Sequence, residues 1–147
     1  MSVDVVTEVE IRRPRHEVAA FAADPANAPV WYENIKSAEW DGPVNLAVGG
    51  RVRFTAHFLG RRLTYTYVIR EFVPDSRLVM ATADGPFAME TTYEWTDAGS
   101  EATRMRLRNS GQPAGFARIA GSAMERAMRR ANQKDLQRLK TLVETDQ

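Results

Sequence analysis

The feature that most constrains this chain is a single long helical period placed after a run of strand-like segments. At about 100° per residue, Phe116, Ala120, Ala123, Met124, Ala127 and Ala131 share one side of residues 112–145, and the stripe drifts to Met128, Leu139 and Leu142. This predicts one amphipathic helix over residues 112–145, long enough to cross a small domain. Its stripe is mostly alanine and methionine, so it is shallow, and something else has to fill the space beneath it. The opposite side carries Arg118, Glu125, Arg126, Arg129, Gln133 and Lys140, with Glu125 and Arg129 at a favourable i,i+4 spacing, and reads as solvated. A basic site for an anionic partner, built from Arg126, Arg129, Arg130 and Lys134, is the alternative. Asp135 falls within the drifting stripe and is expected to pair with an arginine.

The segments before it read as strands and two short helices. Residues 3–11 alternate, with Val3, Val5, Thr7, Val9 and Ile11 on one face and acids on the other, the pattern of a strand with one wet face. Pro14 opens a short helix over residues 15–23, which Asp24 and Pro25 end, and a second is expected over residues 29–35. A strand follows over residues 37–41. The next hairpin can be registered: a Gly-first turn at Gly60 and Arg61 sets Leu59 opposite Arg62, Phe54 opposite Tyr67 and Val52 opposite Ile69. Three more strands, residues 77–84, 87–96 and 101–109, are separated by short turns. Phe87, Met89, Thr91, Tyr93 and Trp95 share a face, as do Thr103, Met105 and Leu107, while Arg104, Arg106 and Arg108 point the other way. The order predicts an α+β fold: seven strands with turns short enough for an antiparallel meander, two short helices after the first, and the long helix last.

Composition excludes several classes of function. A chain of 147 residues, 44% of them hydrophobic, is expected to form one domain over residues 1–147 and to bury a core or enclose a cavity. Twenty basic residues against 19 acidic ones give no global field toward nucleic acid or an anionic membrane. Without cysteine there is no disulfide, thiolate metal site or cysteine nucleophile. Asp4, Glu8 and Glu10 stand where a leader would need an apolar run, and no long apolar stretch offers membrane insertion, so a cytoplasmic protein is expected. His16 and His57 read as surface residues. Metal-protease, nucleophile-elbow and phosphate-loop motifs are missing, so no metal and no cofactor are implied. Ser110, beside Gly111 at an apparent strand-to-helix turn, reads as a cap.

The element order, together with Pro14, Val18, Phe21 and Asp24, Trp31, the run Val48, Gly49, Gly50, Arg51, the hairpin around Leu59 to Arg62, and Gly85, Pro86, Phe87, resembles the START-like helix-grip superfamily (SRPBCC). Within it the chain is most similar to the polyketide cyclase/dehydrase family. The resemblance implies a helix-grip fold, a seven-stranded antiparallel sheet curved around the long C-terminal helix, with a cavity between them used for apolar small molecules. Some members of the family are aromatase/cyclases, but none of their catalytic motifs matches particular positions here.

The candidate ligand-binding set converges from sheet and helix: Trp31, Phe54, Phe58, Tyr65, Tyr67, Phe87, Met89, Tyr93 and Met105 with Phe116, Ala120, Met124 and Ala127. Large side chains on the sheet opposite small ones on the helix fit a void of roughly 300 to 1,000 Å³. Buried tyrosine hydroxyls need partners, which suggests polar company. Glu71 is in phase with Tyr65, Tyr67 and Ile69. It either lines the cavity as an acid or base, with Tyr67 as the other catalytic candidate, or is turned out by a bulge. Three readings follow: a binder of a mostly apolar small molecule, a cyclase or dehydratase acting on such a compound, and a protein-interaction module. A homodimer remains open.

Overall fold

The structure is a computed structural model, described here for residues 2–84, 88–113 and 119–145. Its elements run β1 (Val3–Ile11), α1 (Arg15–Ala22), a 3-10 turn (Pro25–Asn27), α2 (Ala28–Trp31), β2 (Ile35–Trp40), β3 (Arg51–Phe58), β4 (Arg61–Val73), β5 (Arg77–Asp84), β6 (Ala88–Gly99), β7 (Ala102–Gln112) and α3 (Gly121–Thr145). The seven strands form one antiparallel sheet in the order β1-β7-β6-β5-β4-β3-β2, curled around α3 as a helix grip. Alternation decides which side chains fill the grip. Val3, Val5, Thr7 and Ile11 of β1, Tyr93 and Trp95 of β6, and Thr103, Met105 and Leu107 of β7 are buried, with Val9 packed half-buried in the same row, while the alternate residues face the other way. On the wet face Arg108 grips Asp4 at 2.7 and 2.8 Å, Arg106 lies 3.9 Å from Glu94, and Arg104 lies 3.5 Å from Glu10. That face is laced with ion pairs.

β1 and β2 are the edges, and β1 is sealed by α3. The Glu125 carboxylate accepts the Asp4 N–H at 3.0 Å, Glu144 accepts the Arg12 N–H at 2.8 Å, and Lys140 donates to the Glu10 carbonyl at 2.9 Å. The helix thus satisfies backbone groups that an edge strand would otherwise leave open. Glu125 is thereby committed to β1 and not to Arg129 as its spacing suggested.

Four expectations change. Residues 109–112 continue β7, where Ser110 sits opposite both Asp4 and Glu90, so Ser110 is a ladder residue and not a cap, and α3 begins at Gly121, not at residue 112. Pairing on both sides outweighs the turn signal of Gly111, whose φ of 140° and approach to the Ala88 carbonyl leave no room for a Cβ. The second helix ends at Trp31 and Ile35 opens β2, because the Glu33 N–H goes to the Asp135 carboxylate at 3.0 Å instead of a helical carbonyl. In the same contact, Asp135 takes a backbone partner where an arginine was expected. The hairpin register also differs by two residues.

The β3–β4 turn is Leu59 and Gly60, with Phe58 opposite Arg61, Phe54 opposite Tyr65 and Val52 opposite Tyr67. Positive φ at both central residues, 50° and 79°, makes it the I′ type and not the Gly-first turn. A slip of two preserves the inward and outward sets, so the faces survive although every partner changes. Leucine is a poor occupant of left-handed backbone, at a cost of roughly 1 to 2 kcal/mol. Leu59→Asn, which makes the favoured Asn-Gly turn, should therefore raise the thermal midpoint by a few degrees, since about 1 kcal/mol moves it 2 to 4 °C at this size. An unchanged or lower midpoint would contradict the turn assignment.

Candidate functional site

Two spaces open between the sheet and α3. The inner one, about 150 Å³, is walled by Phe54, Ala56 and Phe58 of β3, Leu63, Tyr65 and Tyr67 of β4, Met80 of β5, Thr91 and Tyr93 of β6 and Asn109 of β7. Tyr32 and Ile35 close one end, and Met128, Ala131 and Asn132 of α3 form the lid. Ring packing holds the sheet wall in place. Phe54 stacks on Tyr65 at 5.6 Å and meets Tyr67 edge-on at 5.7 Å, with Tyr65 and Tyr67 5.1 Å apart. The outer space, about 450 Å³, lies toward the hairpin tip and is bounded by Leu59, Glu33, Ala123, Arg126, Ala127, Arg130 and Lys134. Phe58 and Ala131 border both spaces, so the two adjoin there.

Two hydrogen-bonded sets stand on the inner wall. The Tyr32 and Tyr93 hydroxyls share a hydrogen bond of 2.6 Å. A longer chain crosses four elements: the Tyr67 hydroxyl meets Thr91 Oγ1 at 3.0 Å, Asn109 donates to that same oxygen at 2.8 Å, and Asn132 donates to Asn109 Oδ1 at 2.7 Å. The Asn132 carbonyl oxygen has no partner among the described residues. Burial pushes the Tyr67 hydroxyl up to about 12 against the pull of its Thr91 hydrogen bond. Burial likewise raises Tyr32, Tyr65 and Tyr93 above the ordinary phenol range; neighbouring tyrosines add to it at Tyr32 and Tyr65, whereas at Tyr93 the Tyr32 hydrogen bond pulls it down and Tyr67 adds to the rise. All four are neutral hydroxyls at neutral pH, able to orient a ligand but not to act as bases.

Of the residues singled out from sequence, Phe54, Phe58, Tyr65, Tyr67 and Tyr93 line the inner space. Trp31 is fully buried behind it, its ring 4.1 Å from Tyr32, which takes the lining position. Met105 is core, and Met89 and Met124 pack in a separate cluster with Val3 and Leu63. Ala127 borders the outer space only, and Ala120 is exposed just before α3. Phe87 and Phe116 lie outside the described residues. Glu71 is removed from the site. The β4–β5 register shifts between Ile69 and Glu71, and this bulge turns the carboxylate to the wet face, 3.1 Å from Arg77, while Phe72 packs on the core. Among the described residues no group of three histidine, aspartate or glutamate side chains gathers to hold a metal, and no helix is long and apolar enough to cross a membrane.

Two of the missed lining residues were within reach of the same alternation. Thr91 shares the inward face with Met89 and Tyr93, and Asn109 extends the series Thr103, Met105, Leu107 by one step. A polar residue at an inward position is the signal of a lined space.

A family model described as polyketide cyclase/dehydrase and lipid transport matches residues 2–144. The chain belongs to that family. No curated protein sequence matches it. Among solved structures, a START superfamily protein from Mycobacterium smegmatis superposes with a TM-score of 0.81 at 14% identity, covering 96% of this chain and 97% of that one. The Zhui aromatase/cyclase of Streptomyces sp. R1128 gives 0.79 at 16% identity, over 98% and 94% of the two chains. Major latex-like protein 151 of Panax ginseng gives 0.75 at 10% identity, over 96% and 97%. At these identities the likeness is one of fold. The polyketide cyclase/dehydrase and lipid transport family is thus joined here to a helix grip whose inner wall is aromatic and hydroxylated.

Proposed function

We propose that the protein binds a small, mostly apolar molecule, aromatic, polyketide-like or lipid-like, in the space between the sheet and α3. The observation that carries this reading is the inner chamber itself, aromatic on its sheet side, with the Tyr32–Tyr93 hydroxyl pair and the Tyr67–Thr91–Asn109–Asn132 chain as hydrogen-bonded groups in its wall. A cavity of about 150 Å³ holds one benzene-sized ring. It is smaller than the roughly 300 Å³ at the lower end for whole ligands, so the chamber takes a ring or chain end while the rest of the molecule extends past Phe58 and Ala131. The ring contacts are Phe54, Phe58, Tyr65, Tyr67 and Tyr93 with Tyr32, and Asn132 accepts a ligand donor.

The same wall favours binding over acid–base catalysis. Its described residues include no carboxylate, histidine or lysine, and the tyrosines stay protonated. A cyclase or dehydratase reading keeps Tyr67 as a neutral donor to a carbonyl, oriented by Thr91, and lacks the base that Glu71 was to supply.

Ala56 tests the chamber. Its methyl group projects from a buried position of β3 into the lining, so Ala56→Leu should leave the stability of the unliganded protein unchanged within about 1 kcal/mol, whereas a solid interior loses about 1 to 3. With 6-phenylhexan-1-ol as probe, ligand-induced stabilisation, about 2.7 kcal/mol at a hundredfold excess over Kd, should be present in the native protein and lost in the variant. A variant that is destabilised by several kcal/mol, with no probe effect in either protein, removes the reading.

A further inference from the structure

The outer space differs from the inner one in charge. Along α3, Ala123, Ala127 and Ala131 recur every fourth residue and floor it, and Arg126, Arg130 and Lys134 recur at the same interval one row over. Eight residues of helix span about 12 Å, so the cations form a rail of that length beside a floor free of bulky side chains. None of the three is in an ion pair among the described residues. Pairing is the habit elsewhere in the molecule, at Arg51, Arg53, Arg77, Arg104, Arg106 and Arg108. Of the two acids adjacent to the rail in sequence, Glu125 is spent on the Asp4 N–H and Asp135 on the Glu33 N–H. Glu33 is the one acid in the described wall, so its charges sum to three positive less one negative, or +2.

We infer that the bound molecule is an amphiphilic acid, with its apolar end in the inner chamber and a carboxylate lying along Arg126, Arg130 and Lys134. The inference rests on the reading that the chamber takes an apolar group, and it adds the chemical class of the ligand. The alanine floor lets a chain leave the chamber between Phe58 and Ala131 and lie against the helix. The rail then meets its charge, and Glu33 opposes it.

Matched probes separate the two spaces. Titration calorimetry would compare ω-phenylalkanoates, from 3-phenylpropanoate to 8-phenyloctanoate, with the corresponding alcohols. The acids are expected to bind roughly 10- to 100-fold more tightly at low ionic strength, given three exposed cations. Their advantage should peak at one chain length and shrink as salt rises. The triple substitution Arg126→Gln, Arg130→Gln, Lys134→Gln should abolish the advantage and leave the alcohols unaffected, and Glu33→Gln should tighten the acids alone. All four side chains are exposed, so these variants keep the fold. Equal binding of acid and alcohol by the native protein, or an advantage that survives the triple substitution, overturns the inference and leaves the chamber reading standing. If neither acid nor alcohol binds, the chamber reading fails and the inference falls with it.

Discussion

A chain ended at Ala120 is expected to lose cooperative folding and precipitate. α3 buries Met124, Leu136 and Leu139 completely and Val143 to 7% exposure. At about 1.5 to 3 kcal/mol for each buried side chain, those four contribute roughly 6 to 12 kcal/mol, comparable with the 5 to 15 kcal/mol by which a whole domain is stable. Removal also opens the core cluster that Leu136, Leu139 and Val143 share with Ile11, Val18, Trp31 and Leu107. The backbone groups of β1 that Glu125, Lys140 and Glu144 hold would be left open as well, creating an apolar face and a free sheet edge together. Leu139→Ala is the milder form, costing about 2 to 5 kcal/mol and still giving a cooperative melt at a lower temperature. A soluble truncated chain with a sharp thermal transition would show that the sheet stands without its helix, and the helix-grip account would be wrong.

The strands and their faces were legible in the sequence because alternation with a period of two is a local signal, carried by runs such as Val3 to Ile11 and Thr103 to Leu107. Register was not, because parity admits any even slip. The sequence around Gly60 allowed two turn frames, and only the backbone of Leu59 decides between them. The helix stripe was misplaced for a different reason. Alanine suits either face, so Ala120, Ala123 and Ala127 drew the stripe toward the outer space, while the buried positions include Asn132, which an apolar count passes over, beside Asp135, which the drift of the stripe did reach. For the site, facing inward did not separate lining from core. Tyr93 borders the space and Trp95, two residues along the same face of β6, does not. That distinction depends on where α3 stands off from the sheet, a property of the assembled grip and not of any one strand.

Asp135→Asn should stabilise the protein strongly at pH 7 and hardly at all at pH 4. Asp135 sits in the buried stripe of α3 with 3% of its surface exposed, beside the Tyr32 and Tyr93 pair, and its Oδ1 accepts the Glu33 N–H. Burial raises its carboxyl from 3.8 to about 6. The Glu33 hydrogen bond pulls the other way, the Glu33 charge adds to the rise, and Arg138 and Lys134 oppose it. Between those two values the folded chain holds a proton that the unfolded chain has released. The contribution of Asp135 to stability is therefore fully present below about pH 4 and is lost as pH rises through 6. At 1.36 kcal/mol per unit, a shift of about two units is worth about 3 kcal/mol. Asparagine keeps an oxygen for the Glu33 N–H and carries no charge, so the variant should gain that amount at neutral pH, about 6 to 12 °C in the melting midpoint at this size. The two proteins should converge on acidification, with the native chain gaining on its variant steadily from pH 7 to 4. A variant less stable than the native chain at pH 7 would mean that Arg138 and Lys134 compensate the buried charge. The carboxylate would then be a structural asset in its ionised form.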